Sequence, residues 1–326
     1  MSDSNLTIWS NMRFPTPAET LLRDGLGEHR LVISPHAISG NLAATPADPA
    51  LSDADIAFGQ PDPDALLAAP RIKWVHLTSA GYTRYDTNAF RAACRDRGLV
   101  VTNSSAVYAE PCAQHVAAFL YAHARQLAPA MRDQLTTQQW RSHEIRAASR
   151  LLNGQRMLIY GFGAIGRRLV ELMAPLNMQI MAVRRSPAAD QPVATVTPAE
   201  ADAQLGQADI VVNILPANPD SEGFFSADRL NRVKPGAVLV NIGRGSTVDQ
   251  DALLAALDDG RLAAALLDVT TSEPLPPDHP LWRHPACVIT PHSAGGFAGE
   301  HDTLVRHFLD NLERFGRQAP LHDRII

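Results

Sequence analysis

The sequence predicts an α/β protein made of a doubly wound parallel sheet and a second, smaller α/β layer. Three observations predict it. Short apolar runs alternate with helix-patterned segments along nearly the whole chain, as happens where crossover helices join parallel strands. In the second half the runs MLIY, QIMAV, DIVVNIL, AVLVNI, AAALLDV and CVIT are near-continuously apolar, the pattern of strands covered on both faces. At 326 residues the chain also exceeds the usual span of one hydrophobic core, so two domains are expected.

In the first hundred residues RLVIS, ADIAF, IKWVHLT and LVVTN read as strands, with PDALLAA and NAFRAACRDRG as helices between them. Residues 108–126 then carry a helical pattern with Ala117, Leu120 and Ala124 on one face, a link to the second unit. A polar stretch to Asn153 delivers the chain to the six strands of the second half, enough for a full doubly wound domain. Thr197, Pro198 and Glu200 fit the N-cap, first and third positions of a capping box, and Gly260 after DALLAALDD is a helix stop. The segment HDTLVRHFLDNLERFG places Leu304, Phe308, Leu312 and Phe315 at helical spacing. No strand follows it, so this helix should pack back on something already built.

Composition narrows the partners. A net charge of −5 offers no basic field for nucleic acid. Cys94, Cys112 and Cys287 fall in no CxxC spacing, which argues against a disulfide framework or zinc cluster and fits a reducing compartment. None of the twelve histidines falls in HExxH or HxxEH, so no metal is expected. The start MSDSNLTIWS lacks a basic and then apolar leader, and no uncharged apolar run reaches membrane-spanning length. The expectation is a cytoplasmic protein acting on small molecules, without a membrane or nucleic-acid partner.

The stretch GFGAIG, beginning at Gly161, follows the strand MLIY and opens a helix with Ile165, Leu169, Leu172 and Leu176 on one face. In that context GxGxxG is a dinucleotide site: Gly161 for the tight turn, Gly163 for close approach of a pyrophosphate, Gly166 for helix against strand. At the end of the next strand a carboxylate would accept a ribose 2′-hydroxyl, but Arg184, Arg185 and Ser186 stand there instead. Guanidinium forks and a hydroxyl suit a 2′-phosphate, so NADP(H) is expected, with NAD(H) as the weaker alternative.

Three further stretches end later strands, where such a sheet gathers its ligands: NIGRG with Arg244, LDVTTSEPLP with Glu273 and ITPHSAGG with His292. Together with the glycine loop they resemble the D-isomer-specific 2-hydroxyacid dehydrogenase family, in its NADP-preferring glyoxylate/hydroxypyruvate reductase-like branch, over nearly the whole chain. TSAGYTRYD and VVTNSSAVYAEPCAQH resemble its substrate loop and the entry to its first interdomain helix.

The resemblance implies a Rossmann NAD(P) domain over residues 106–296 and a smaller, flavodoxin-like substrate domain over 1–105 and 297–326. It also implies a cleft between them and a homodimer. Arg244 would bind the substrate's carboxylate and carbonyl oxygen, a bidentate task to which lysine is poorly suited. His292 would be the general acid and base, and Glu273 would fix its ring and stabilise its protonated form. Backbone amides of Ser79, Ala80 and Gly81 would complete the carboxylate site. Gly161, Gly163, Ala164, Ile165, Gly166, Arg184, Arg185, Ser186, Leu215, Pro216 and Ile242 would hold the cofactor, with Asp268 on the nicotinamide carboxamide.

This sequence departs from the family pattern in places. The usual AEH reads Ala113, Gln114, His115; Thr270 replaces the phenylalanine common after LDV; Tyr82 stands where a smaller aliphatic residue is frequent. Glu273 speaks against the formate dehydrogenase branch, which uses Gln there. The implied activity is reduction of a 2-oxoacid, glyoxylate or hydroxypyruvate first, with phenylpyruvate as a bulkier option. A nucleotide-sensing, co-repressor-like interaction protein is the alternative on the same fold.

Overall fold

The computed structural model describes residues 5–40, 45–187 and 189–326. In chain order they form β1 (Thr7–Met12), α1 (Thr16–Leu26), β2 (Arg30–Ile38), β3 (Ile56–Gly59), α2 (Pro63–Ala68), β4 (Trp74–Leu77), α3 (Asn88–Arg97) and β5 (Val100–Thr102). Next come α4 (Ser105–Ala124), α5 (Leu127–Leu135) and α6 (Ser142–Ala148). There follow β6 (Arg156–Tyr160), α7 (Ala164–Met173), β7 (Gln179–Val183), β8 (Ala194–Val196), α8 (Pro198–Asp202) and β9 (Ile210–Asn213). Finally α9 (Ala227–Asn231), β10 (Ala237–Asn241), α10 (Gln250–Asp258), β11 (Leu262–Leu267), β12 (Cys287–Ile289) and α11 (Glu300–Gly316) complete the order. Among the described residues no helix is long and apolar enough to cross a membrane. The chain divides into two compact units, Met1–Tyr108 with Gly296–Ile326, and Ala109–Gly295.

The first unit is a parallel sheet in the order β2-β1-β3-β4-β5. Because side chains alternate along a strand, Ile8, Ile56 and Trp74 meet α1 and α11 on one face, while Trp9, Ala57 and Val75 meet α2 and α3 on the other. The C-terminal helix does pack back, as its lack of a following strand required. Its Phe308 stacks between Phe58 and Trp74, with ring centroids 4.1 and 5.3 Å away. One strand in the middle of this sheet, β1, is not among the four read from the sequence. Ser10 and Asn11 break its apolar run, yet both are buried, because Asn11 exchanges two hydrogen bonds with the Gln60 backbone, at 2.9 and 2.8 Å. A polar residue satisfied in this way carries little burial penalty.

The second unit holds a seven-stranded parallel sheet in the order β12-β11-β10-β9-β6-β7-β8. Sequence reading gave six strands; the seventh, β8, is a three-residue edge strand too short and too exposed to announce itself. The order reverses between β6 and β9, and such a reversal opens a crevice beyond the strands' C-terminal ends. The stretch between α4 and β6, read as merely polar, contains α5 and α6, whose apolar residues remain at the surface. The capping box at the start of α8 is complete, Thr197 and Glu200 each bonding the other's backbone amide.

Two helix faces differ from expectation. On α4 the buried positions include Val116, Phe119, Leu120 and Ala124, and Ala117 is only half-buried. On α7 they are Gly166, Leu169, Val170 and Met173, while Ile165 and Leu172 are only half-buried, as is Leu176 in the turn that follows the helix. Gly166 causes this second shift: a Cβ there would come within 2.9 Å of the Phe162 ring, so the glycine edge, not the isoleucine edge, lies against the sheet.

Tyr160, the last residue of β6, is fully buried against Phe224 and Phe225. Its hydroxyl has no hydrogen-bond partner among the described residues. An unsatisfied buried hydroxyl costs free energy that a phenyl ring avoids, so Tyr160→Phe should raise stability by about 1 kcal/mol. Thermal melts of the two proteins check this; a lower melting temperature for the phenylalanine variant would show that the hydroxyl is satisfied.

Candidate active site

The nucleotide loop sits at the reversal point of the second sheet, between the ends of β6 and β9. Gly161 has φ +91°, and a Cβ there would lie 2.8 Å from the Ile214 carbonyl oxygen. Only glycine meets both demands. Gly163 faces open space, which leaves room for a ligand to reach the backbone, and Ala164 opens α7 with its unpaired amides. Leu215 and Pro216 follow β9, Ile242 follows β10, and all belong to the same unit. These residues fit a dinucleotide's pyrophosphate.

Arg184, Arg185 and Ser186 follow β7 directly, the first half-buried and the others exposed. The Arg184 amide donates to the Val196 carbonyl at 2.9 Å, so β8 holds the backbone of this corner. An acid absent from the sequence reading stands nearby. Asp190 is held below the usual carboxylate range by the Gln191 side chain first and by its own backbone, with Arg167 and Arg184 adding attraction.

At the end of β10 two glycines flank Arg244 because neighbouring backbone leaves no space. A Cβ on Gly243 would lie 2.6 Å from the Leu215 carbonyl oxygen, and one on Gly245 would lie 1.9 Å from Thr270 backbone. The arginine between them donates to the Gly243 carbonyl at 2.7 Å. Burial pushes its guanidinium below the ordinary value, and Glu273 and Cys112 oppose that shift. Its own carbonyl is fixed by a buried amide network missed from the sequence. Asn241 donates to it at 3.2 Å and Thr247 at 2.5 Å, while Asn213 donates to both Asn241 and Thr247. The available signal was an asparagine closing each of two adjacent apolar strands, VVN and LVN.

His292 and Glu273 meet at 2.6 Å, Nδ1 to Oε2. The other carboxylate oxygen accepts the Thr270 amide at 3.2 Å, which fixes the glutamate's orientation. With Nδ1 turned to a carboxylate, the transferable proton belongs on Nε2, and that nitrogen has no hydrogen-bond partner among the described residues. His292 adopts φ +48°, a left-handed conformation that needs outside support. Its amide donates to the Asp268 carbonyl at 2.8 Å. Asp268, 3% exposed, also receives the next two amides, Ser293 at 2.9 Å and Ala294 at 3.0 Å.

The second unit thus gathers Arg244, Glu273, His292, Asp268 and the glycine loop, whereas Ser79, Ala80 and Gly81 belong to the first. There the Ser79 carbonyl accepts the Ser104 amide at 3.1 Å, the Ala80 carbonyl accepts Asn103 at 2.7 Å, and the Gly81 carbonyl accepts the Ser79 hydroxyl at 2.5 Å. All three carbonyls are engaged, while the amides of Ala80 and Gly81 have no acceptor among the described residues. Such a loop presents donors to an anion.

A sequence model described as "D-isomer specific 2-hydroxyacid dehydrogenase, NAD binding domain" matches residues 117–294. The chain belongs to this family. It is an NAD(P)-dependent oxidoreductase that interconverts 2-oxo and 2-hydroxy acids. This family member is 31% identical over 264 residues to a glyoxylate reductase from Aeropyrum pernix, covering 78% of this chain and 77% of the relative. Among solved structures it is similar to a D-isomer specific 2-hydroxyacid dehydrogenase family protein from Klebsiella pneumoniae, with 28% identity, TM-score 0.77 and coverage of 100% and 99%. A family dehydrogenase from Xanthobacter autotrophicus in complex with NADPH and MES is 26% identical, with TM-score 0.78 and coverage of 99% and 98%.

Proposed function

We propose that the chain is an NADPH-dependent 2-oxoacid reductase that uses His292 as its proton donor and takes small substrates such as glyoxylate or hydroxypyruvate. The observation that carries this reading is the 2.6 Å Glu273–His292 pair, which leaves Nε2 free to meet a substrate oxygen. When bound, the nicotinamide supplies the two electrons and the hydrogen that reach the carbonyl carbon. Arg244 holds the substrate's carboxylate and polarises its carbonyl. His292 gives its Nε2 proton to the carbonyl oxygen, and Glu273 stabilises the ring while it is charged. The free amides of Ala80 and Gly81 are assigned to a carboxylate group.

Gly161, Gly163, Ala164, Ile165 and Gly166 would hold the pyrophosphate, and Leu215, Pro216 and Ile242 would line the path. Among the described residues Asp268 Oδ2 accepts one hydrogen bond, from the Ala294 amide, and keeps capacity for a carboxamide donor. Arg184, Arg185 and Ser186 are assigned the 2′-phosphate, in line with the relative crystallised with NADPH. The glyoxylate reductase relative favours a short 2-oxoacid.

The direct test is NADPH consumption with glyoxylate, hydroxypyruvate, pyruvate and phenylpyruvate. Turnover should be highest with one of the first two, and none with any of the four would sink the reading. A homodimer is also proposed. Leu127, Met131 and Leu135 make an apolar stripe along α5, 50%, 60% and 76% exposed, which a second copy would cover. Sedimentation of wild type and Met131→Asp should show a dimer and its weakening.

A further inference from the structure

A line of hydrogen bonds runs from α4 to the loop that carries His292. His115 Nε2 lies 3.0 Å from Thr290 Oγ1 and 3.8 Å from Asp268 Oδ1. Thr290 Oγ1 lies 2.6 Å from that same Oδ1. An ionised carboxylate only accepts, so the single hydroxyl proton of Thr290 is committed to Asp268. Thr290 must therefore accept from His115, which places that ring's proton on Nε2. Burial pushes the His115 imidazole below its ordinary value, against the pull of Asp268, so the ring is a neutral single-proton donor at this nitrogen. Phe119 packs edge-on at 4.5 Å and fixes its plane.

The line ends on the element that matters for proton transfer. Asp268 takes the amides of His292, Ser293 and Ala294 in succession, the first on its carbonyl and the others on its carboxylate. These bonds, with the 3.0 Å bond from the His292 amide to the Thr290 carbonyl, hold the backbone that keeps His292 at φ +48°. A carboxylate free to rotate would release two of the three.

We propose that His115 is a positioning residue for the proton donor, acting through Thr290 and Asp268 to hold His292 in its left-handed backbone and against Glu273. The inference rests on the role assigned to His292 above. The departure at Gln114 lies off this line, because its side chain is turned to Glu110 at 2.6 Å.

The test is a double-mutant cycle on turnover. Thr290→Val, nearly the same shape, and His115→Leu should each lower kcat by about ten- to a hundredfold, since small displacements of a reacting group have effects of that size. The dissociation constant for NADPH and the KM for the oxoacid should stay near wild type. Because both act through one line, the double variant should be no slower than the slower single. His115→Gln, whose amide can reach the Nε2 position, should recover most of the loss. Unchanged kcat in the two single variants, losses that multiply, or a glutamine variant as slow as the leucine one would overturn the proposal. If His115→Leu does not fold, Thr290→Val and His115→Gln still decide it. A wild type that turns over and is silenced by His292→Ala, with His115 indifferent, defeats this inference alone; full activity in His292→Ala defeats the reading beneath it.

Discussion

Replacing His292 by Ala should cut kcat for 2-oxoacid reduction by about a hundred- to ten-thousandfold, the usual contribution of a positioned general acid. The carbonyl oxygen would then have to take its proton from water. Dissociation of NADPH should change little, because the His292 side chain is assigned to the substrate oxygen, and its replacement leaves the backbone amides that hold Asp268 in place. The left-handed backbone at this position calls for a second variant. Asn tolerates φ +48° better than Ala does, so His292→Asn tests the missing proton with less strain on the loop. Both variants should fold and bind cofactor, and both should be slow. Stopped-flow measurement of a single turnover would separate the chemical step from release. Wild-type rates in either variant would return the chain to the alternative of a nucleotide-sensing interaction protein.

The second large effect concerns the cofactor. Wild type should prefer NADPH, and Arg184→Asp should lower the NADPH to NADH efficiency ratio by about ten- to a hundredfold, the worth of one or two charged hydrogen bonds. The sign follows from two changes at once: a fork that grips a phosphate is lost, and a carboxylate that accepts a ribose hydroxyl is gained. Asp190 sharpens the experiment, since it draws on the same arginine. Asp190→Asn should move the ratio the other way, towards NADPH. A wild-type preference for NADH would contradict the assignment of Arg184, Arg185 and Ser186.

The parts of the fold that were legible in the sequence are those where one physical rule acts alone. Strands covered on both faces must be apolar throughout, so AVLVNI and AAALLDV announce themselves, and the residues just beyond them are the ones that line a crevice. β1 was hidden because its polar residues are satisfied by partners the strand pattern does not express: Asn11 by Gln60, forty-nine residues later in the chain, and Ser10 by the Met12 amide. β8 was hidden because an edge strand needs only one neighbour and little burial. The rotation of α7 depended on Gly166 packing on Phe162, a contact no periodicity expresses. At the site, Arg244, Glu273 and His292 were legible as residue types at strand ends. The asparagines that fix Arg244, and the three amides converging on Asp268, were not, because their meaning lies in which strands become neighbours.

The C-terminal helix has a consequence for the order in which the protein is made. α11 supplies Leu304, Val305, Phe308 and Leu312 to the interior of the first unit, although that unit's own strands are synthesised before the second unit. A ribosome therefore presents this sheet with one face covered by α1 alone while the whole second unit is translated, a wait on the order of tens of seconds. The second unit, continuous in sequence, can fold during that interval. The strands of the first unit are thus open to chaperones during that interval, and of the two units the one that starts first finishes last.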